Sequence, residues 1–316
     1  MTSVNATPQI ALRTAGAPER LSARLKAIWR RDGIAALPFL LPFMAFLAIF
    51  QYFTIGLMIR NSLYNYSLLD PAVAKYVGLA NYRMLIHDHL ALQSIAVTLL
   101  FAAGAIVTQV PIGLGLAILL NARRRGVAII RAVVFLPVVT SAVVVTTMWT
   151  FIYAPSNGLA NSVLSALHLP TLLYTTSAHQ ALPALIVMTL WEEVGFSMML
   201  FLAGLQSIPA EFEEAAAVDG ATAWQRFSRV ILPLLNRTTV LVVIVNTVFA
   251  LQAFTQAYIM TQGGPEGSTN FMVYNIYTEA FSLGDPGYAS ALSVVLLAIV
   301  IVVSAVQMRA LRGRTR

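Results

Sequence analysis

The chain has 316 residues, 58% hydrophobic and only 10% charged, with a net charge of +7 and a mean hydropathy of +0.76. Soluble domains carry about 25% charged residues, so a water-soluble globule is excluded. With no cysteine, disulfides and thiolate metal sites are excluded too, and the positive excess fits anionic lipid headgroups rather than nucleic acid.

Residues 1–33, rich in Thr, Ala and Arg, predict a disordered basic tail. A membrane span needs about 20 mostly apolar residues. Six segments qualify: 34–59, 94–120, 127–153, 180–205, 232–260 and 288–308. The first is too long for a secretory signal and has no small-x-small cleavage pattern behind it, so it reads as a retained helix. The fold class expected is therefore an all-α membrane protein of six transmembrane helices.

Between spans 1 and 2 lies the longest loop, 60–93, where Tyr76-Val77-Gly78-Leu79-Ala80-Asn81-Tyr82-Arg83 predicts a turn into a short helix along the membrane. Asn65-Tyr66-Ser67 matches a glycosylation sequon, a short pattern common by chance. His87 and His89 read as a wet loop rather than a metal site. The 154–179 loop turns at Pro155-Ser156-Asn157-Gly158, and the 261–287 loop at Gly263-Gly264-Pro265 and Gly284-Asp285-Pro286-Gly287.

Lys and Arg set the orientation. They crowd the N-terminal tail (Arg13, Arg20, Arg24, Lys26, Arg30, Arg31) and the turn after span 2 (Arg123, Arg124, Arg125, Arg131). Further Arg residues follow span 4 (Arg226, Arg229, Arg237) and fill the tail 309–316 (Arg309, Arg312, Arg314, Arg316). Only Arg60, Lys75 and Arg83 fall on the other side. Both termini and the segment 207–231 are thereby expected in the cytoplasm.

Segment 207–231 is polar and lies between two apolar spans. Ser207 is expected to cap a first helix with Pro209 in its first turn, and Glu211, Glu213 and Glu214 suit the positive end of its dipole. Gly220 is placed to end that helix in a left-handed turn, and Thr222 with Gln225 reads as a capping box for a second. At about 11 residues the first helix reaches only about 16 Å, too short to span. Ala215, Ala216 and Ala217 leave a smooth surface for close approach. Glu214 and Asp219 add charge for a basic or N–H-bearing partner. The competing reading is an amphipathic connector resting on headgroups, against which acids on an anionic leaflet argue.

Inside the spans, Glu192 and Glu193 sit near the middle of span 4, where a charge costs roughly 2.5–3.5 kcal/mol and must face a cavity or a partner. Trp191 and Phe196 beside them are suited to stacking on a sugar ring. Substrate contact and pairing with a buried partner are both open for Glu193. On span 5, Asn246, Phe249, Ala253 and Gln256 recur at i, i+3, i+7, i+10, predicting one helical stripe flanked by Ala250 and Gln252. Such a stripe suits a saccharide pocket, or amides hydrogen-bonded between helices.

Glu214-Ala215-Ala216, Gly220 after three intervening residues, and Val230-Ile231-Leu232-Pro233 resemble the EAA loop of permease subunits of bacterial binding-protein-dependent ABC importers. The family prefers Ile where Val230 stands. Further matches resemble the carbohydrate-uptake branch, that of the maltose and glycerol-phosphate permeases. They are Val77-Gly78-Leu79-Ala80-Asn81-Tyr82, Arg131 with Phe135-Leu136-Pro137, Trp149, Gly158 with Asn161, 202–209 and Thr261-Gln262-Gly263-Gly264-Pro265. They run in order from about residue 34 to the C-terminus.

The resemblance implies a coupling helix carrying Glu213, Glu214, Ala215, Ala216, Asp219, Gly220 and Ala221 that fits a cleft in a cytoplasmic ATPase. It implies a second homologous permease, two ATPase copies, an external solute-binding protein and a bacterial plasma-membrane location. It places Glu193, Asn246, Phe249 and Ala250 at positions that contact sugar in the maltose permease. With Phe196, Gln252 and Gln256, these are the expected pathway residues. Ala250 and Glu193 depart from the family chemistry, which implies a different sugar or pose. No G-x-x-x-x-G-K-[ST] loop occurs, and Lys26 and Lys75, the only lysines, follow no Gly-rich turn. The chain is therefore expected to bind no cofactor and to be no enzyme, ATP and Mg belonging to the partner. The alternative is a secondary transporter with Glu192 and Glu193 as a proton relay, which would not need the hairpin.

Overall fold

A computed structural model describes residues 37–66, 74–122 and 125–312. The basic tail 1–33, Arg123, Arg124, Arg314, Arg316 and the last residue of the sequon lie outside the described residues. The chain divides into two units, Met1–Leu57 and Met58–Arg316. The first contributes most of α1 (Pro38–Asn61), which carries no charged residue before Arg60 and winds through a wider π turn at Leu47–Tyr52.

The second unit is helical apart from one small hairpin, β1 (Tyr64–Asn65) paired antiparallel with β2 (Lys75–Tyr76). Its helices are α2 (Ala80–His87), α3 (His89–Leu119), α4 (Val127–Val139), α5 (Ala142–Ile152), α6 (Leu159–Ala166), α7 (Ala178–Gln206), α8 (Ala210–Val218), α9 (Ala223–Leu234), α10 (Asn236–Leu251), α11 (Met272–Tyr277) and α12 (Pro286–Arg312). Four described helices, α1, α3, α7 and α12, are long and apolar enough to cross a membrane; six spans result if each of two bent pairs counts as one.

Those bent pairs correct the sequence reading. Segment 127–153 is not one rod: α4 stops at Val139, and α5 leaves at 97° after Thr140 and Ser141. Pro137 lies in the last turn of α4, where it has no N–H to donate to the Val133 carbonyl. Segment 232–260 is broken as well. A 65° bend at Leu235 separates α9 from α10, and α10 ends at Leu251, before a separate turn at Ala257–Thr261. The other expected spans differ only at their ends. Asp88 accepts the Leu90 amide at 2.9 Å and caps α3 five residues earlier than expected.

Helices α3 and α7 form the centre of the unit. Successive contacts join Gly104 to Ile186, Gln109 to Glu193 and Gly113 to Ser197, so the two run parallel. Approach is close because side chains are missing. A Cβ at Gly113 would lie 2.7 Å from that of Ser197, and one at Gly195 only 2.4 Å from the Val134 carbonyl oxygen of α4. Small residues are what let apolar helices meet in lipid, where van der Waals packing drives association. Helix α10 returns antiparallel to α7, with Asn246 against Ser197 and Thr238 against Gly204. The largest apolar cluster gathers Phe101, Leu185, Met188, Leu251 and Phe271. A second, with Met198, Phe201, Leu235 and Val242, sits toward the α8–α9 end.

Candidate functional site: a capped hairpin and an intramembrane polar patch

Between α7 and α10 the chain makes a hairpin of two short helices. Ser207 does not cap α8 as expected. It closes α7 instead, its hydroxyl donating to the Gly204 carbonyl at 2.7 Å, and Pro209 stands at the start of α8. At the other end of α8 the chain follows the predicted turn. Gly220 has φ +79°; the Ala221 N–H reaches the Ala216 carbonyl at 3.0 Å, and the Gly220 N–H reaches Ala217 at 3.1 Å. That pair of bonds is a Schellman cap, which needs the left-handed residue that glycine supplies at least cost. Helix α9 then opens with the expected capping box. The Thr222 hydroxyl accepts the Gln225 amide at 3.3 Å, and the Gln225 side chain accepts the Thr222 amide at 2.8 Å.

Arg226 on α9 meets Glu213 on α8 at 3.8 Å, a partly exposed pair that adds at most about 1 kcal/mol. Glu214, Ala215, Asp219 and Gly220 are exposed, and Ala216 is half-buried. Trp224 is 72% exposed and Val218 88%, so the hairpin presents bare apolar groups beside its acids. A cleft of about 640 Å³ runs under it, lined by Asn121, Leu205, Glu213, Trp224, Phe227 and Ile231.

The second arrangement lies between α3, α7 and α10. Glu193 is half-buried and accepts a hydrogen bond from Gln109 Nε2 at 3.1 Å. The sequence reading passed over Gln109; its signal was a lone amide inside an otherwise apolar span. Glu192 is buried, and its Oε2 finds no hydrogen-bonding partner among the described residues. Phe196, one turn beyond Glu192, faces Phe249 of α10 with ring centroids 5.8 Å apart. Phe249 is 47% exposed, and Gln252 at the end of α10 is exposed too.

The predicted stripe on span 5 is not one face. Asn246 is 1% exposed and donates to Ser197 Oγ at 2.7 Å, which is the helix-to-helix amide bond of the competing reading. Ala250 and Ala253 are in the apolar core, and Gln256 is buried. Since α10 ends at Leu251, the helical period cannot carry the pattern on to Ala253 and Gln256. Of the expected pathway residues, Phe249 and Gln252 are exposed and Glu193 and Phe196 half-buried, while Asn246, Ala250 and Gln256 are buried. Among the described residues, no group of three or more His, Asp or Glu side chains is arranged to hold a metal ion.

Residues 109–316, from the α3 amide through the hairpin to the C-terminus, match the family of binding-protein-dependent transport system inner membrane components. The chain belongs to that family. This permease is 32% identical over 285 residues to the sn-glycerol-3-phosphate transport system permease protein of Yersinia enterocolitica, covering 89% of this chain and 95% of that one. It is 32% identical over 242 residues to the trehalose/maltose transport system permease protein of Thermococcus litoralis, covering 76% and 81%. Its fold is that of a chain in the crystal structure of a bacterial alginate ABC transporter bound to an alginate pentasaccharide-loaded periplasmic protein. The TM-score is 0.80 over 93% of this permease and 99% of that chain, at 22% identity. The permease is thus a multi-pass membrane protein and a transport subunit of the ABC importer class.

Proposed function

We propose that this permease forms half of the translocation pathway of an ATP-driven carbohydrate importer in a bacterial plasma membrane. Its six spans leave both termini and the α8–α9 hairpin in the cytoplasm. The observation that carries this reading is the hairpin: two short helices capped against each other, too short to span, with exposed acids and bare Val218 and Trp224. Such a surface suits cover by another protein, because acids beside the apolar groups sit poorly against anionic headgroups.

In this reading α8, with Glu213, Glu214, Ala215, Ala216, Asp219, Gly220 and Ala221, seats in a cleft of a cytoplasmic ATPase. Two ATPase copies and a second, homologous permease complete the membrane assembly, and an external binding protein delivers solute. ATP and Mg belong to the ATPase, and this chain holds no cofactor. Closure of the ATPase pair pushes the hairpins, and the two permeases rock between inward-open and outward-open states. Glu193, Phe196, Phe249 and Gln252 line the pathway, the rings packing and the polar groups orienting the solute. Asn246, Ala250 and Gln256 support that surface from behind. The names of the relatives, a trehalose/maltose and a glycerol-phosphate permease, support the carbohydrate branch.

The test is uptake into proteoliposomes holding both permeases, with and without the ATPase subunits. ATP-dependent uptake that vanishes without the ATPase is expected. Uptake by this chain alone, driven by a proton gradient, overturns the proposal.

A further inference from the structure

Beyond the end of α10, five aromatic side chains form a continuous ladder. Phe254 and Tyr258 stack with centroids 5.1 Å apart and planes 19° apart, and Tyr258 meets Tyr277 edge-on at 5.3 Å. Tyr277 continues to Phe281 at 5.3 Å, and Tyr274 flanks Tyr258 at 6.4 Å. The ladder is open: Tyr258 is 43% exposed and Phe281 70%. It follows in the chain directly on exposed Phe249 and Gln252, and in the proposed orientation it stands at the outer mouth.

Ring faces in a row, interleaved with phenol hydroxyls, are amphipathic in a specific way. The faces take apolar C–H surfaces, and the hydroxyls donate and accept hydrogen bonds at the edges. A pyranose presents those two surfaces. Charge narrows the class of solute. No Lys or Arg occurs between Arg131 and Arg226, nor between Arg237 and Arg309, so neither the ladder nor the Phe196–Phe249 patch has a cation in its own segment. Acids are present instead: Glu279 follows Tyr277 by two residues, with Asp88 and Asp285 close enough to act on it, and Glu193 lies beside Phe196. A phosphate or uronate meets repulsion from these acids, and neither segment supplies a cation of its own to offset it.

We infer that this aromatic ladder is an outer stacking subsite for an uncharged saccharide, which it passes to the Phe196–Phe249 pair. The inference rests on the carbohydrate-import reading above and adds a place and a charge class to it.

The assembled transporter in nanodiscs, without binding protein, is to be titrated with trehalose and maltotriose as neutral probes. Glycerol 3-phosphate, a galacturonate trimer and glucosamine are the charged ones. Saturation-transfer NMR reads contact. The neutral probes are expected to show transfer at millimolar concentration, reduced at least fivefold in Phe281→Leu and in Tyr258→Leu, and largely restored in Tyr258→Trp. Co-purification of the second permease and the ATPase checks assembly, and Phe281, being so exposed, is the variant least able to disturb packing. Transfer unchanged in both Leu variants overturns the subsite, and the rings are then an interfacial belt. Equal or stronger transfer to a charged probe overturns the charge class. If ATP-driven uptake of a neutral sugar persists while the ladder variants change nothing, only this inference fails. If no saccharide is taken up at all, the carbohydrate reading fails with it.

Discussion

Gln109 on α3 donates to Glu193 on α7 at 3.1 Å, tying the acid proposed to line the pathway to the neighbouring helix. Glu193→Gln keeps a hydrogen-bonding group of the same size, so the thermal stability of the purified complex is expected to stay within about 1 kcal/mol of wild type. Uptake of the transported solute is expected to slow several-fold. Unchanged uptake kinetics would assign Glu193 to helix pairing alone.

Asn246 and Ser197 provide the contrast. Their 2.7 Å bond is buried, so Asn246→Leu is expected to destabilise the complex by about 0.6–2 kcal/mol, with the KM for uptake unmoved. Denaturation followed by uptake assays on the surviving complex separates the two effects. A large KM change with normal stability would return Asn246 to the pathway.

The α4–α7 contact is close, a Cβ at Gly195 lying 2.4 Å from the Val134 carbonyl oxygen. A methyl group at Gly195 meets backbone, not a flexible side chain, so Gly195→Ala is expected to cost about 1–3 kcal/mol. The check is a lowered melting temperature of the detergent-solubilised complex, with Gly115→Ala, where a Cβ meets nothing within 4 Å, as the tolerated control.

At the hairpin, Gly220→Ala forces an L side chain to φ +79° and is expected to cost about 1–2 kcal/mol locally. Thr222→Ala removes the cap for about 1 kcal/mol. Both act on the proposed ATPase seat, so both are expected to lower the amount of ATPase retained on the purified permease pair. Full retention in both would mean the ATPase does not read this turn.

Glu279 makes the stability depend on pH. Burial, then the Asp88 and Asp285 carboxylates, push its carboxyl above the ordinary value of 4.5. A raised folded pKa contributes stability that is whole below the unfolded value and is lost as pH rises through the folded one. The melting temperature is therefore expected to fall as pH climbs from about 4.5 across that window, and Glu279→Gln should flatten the fall. An identical slope in the variant would remove Glu279 as its source.

Much of this was legible in the chain because the signals were local. Gly220, Thr222 and Gln225 specify their caps within a few residues, and those two caps formed as read, whereas Ser207 closed the preceding helix instead. The breaks at Thr140–Ser141 and at Leu235 were not legible. Every residue around them is compatible with an apolar helix, and hydropathy reports depth, not direction. The span 5 stripe failed for the same reason: periodicity was extended past a helix end that no Gly or Pro announces. Gln109 and the aromatic ladder escaped because their meaning lies in long-range contacts, 84 residues apart for Gln109 and Glu193.

The parallel pair α3 and α7 has a mechanical consequence. With Gly113 of α3 against Ser197 and Val134 of α4 against Gly195, α7 is hemmed closely on two sides and has little room to slide or roll. The pair is a stiff strut. Any stroke delivered at the hairpin must then be taken up as rotation at the two elbows, the 97° corner of α4–α5 and the 65° corner of α9–α10, rather than as compression of the core.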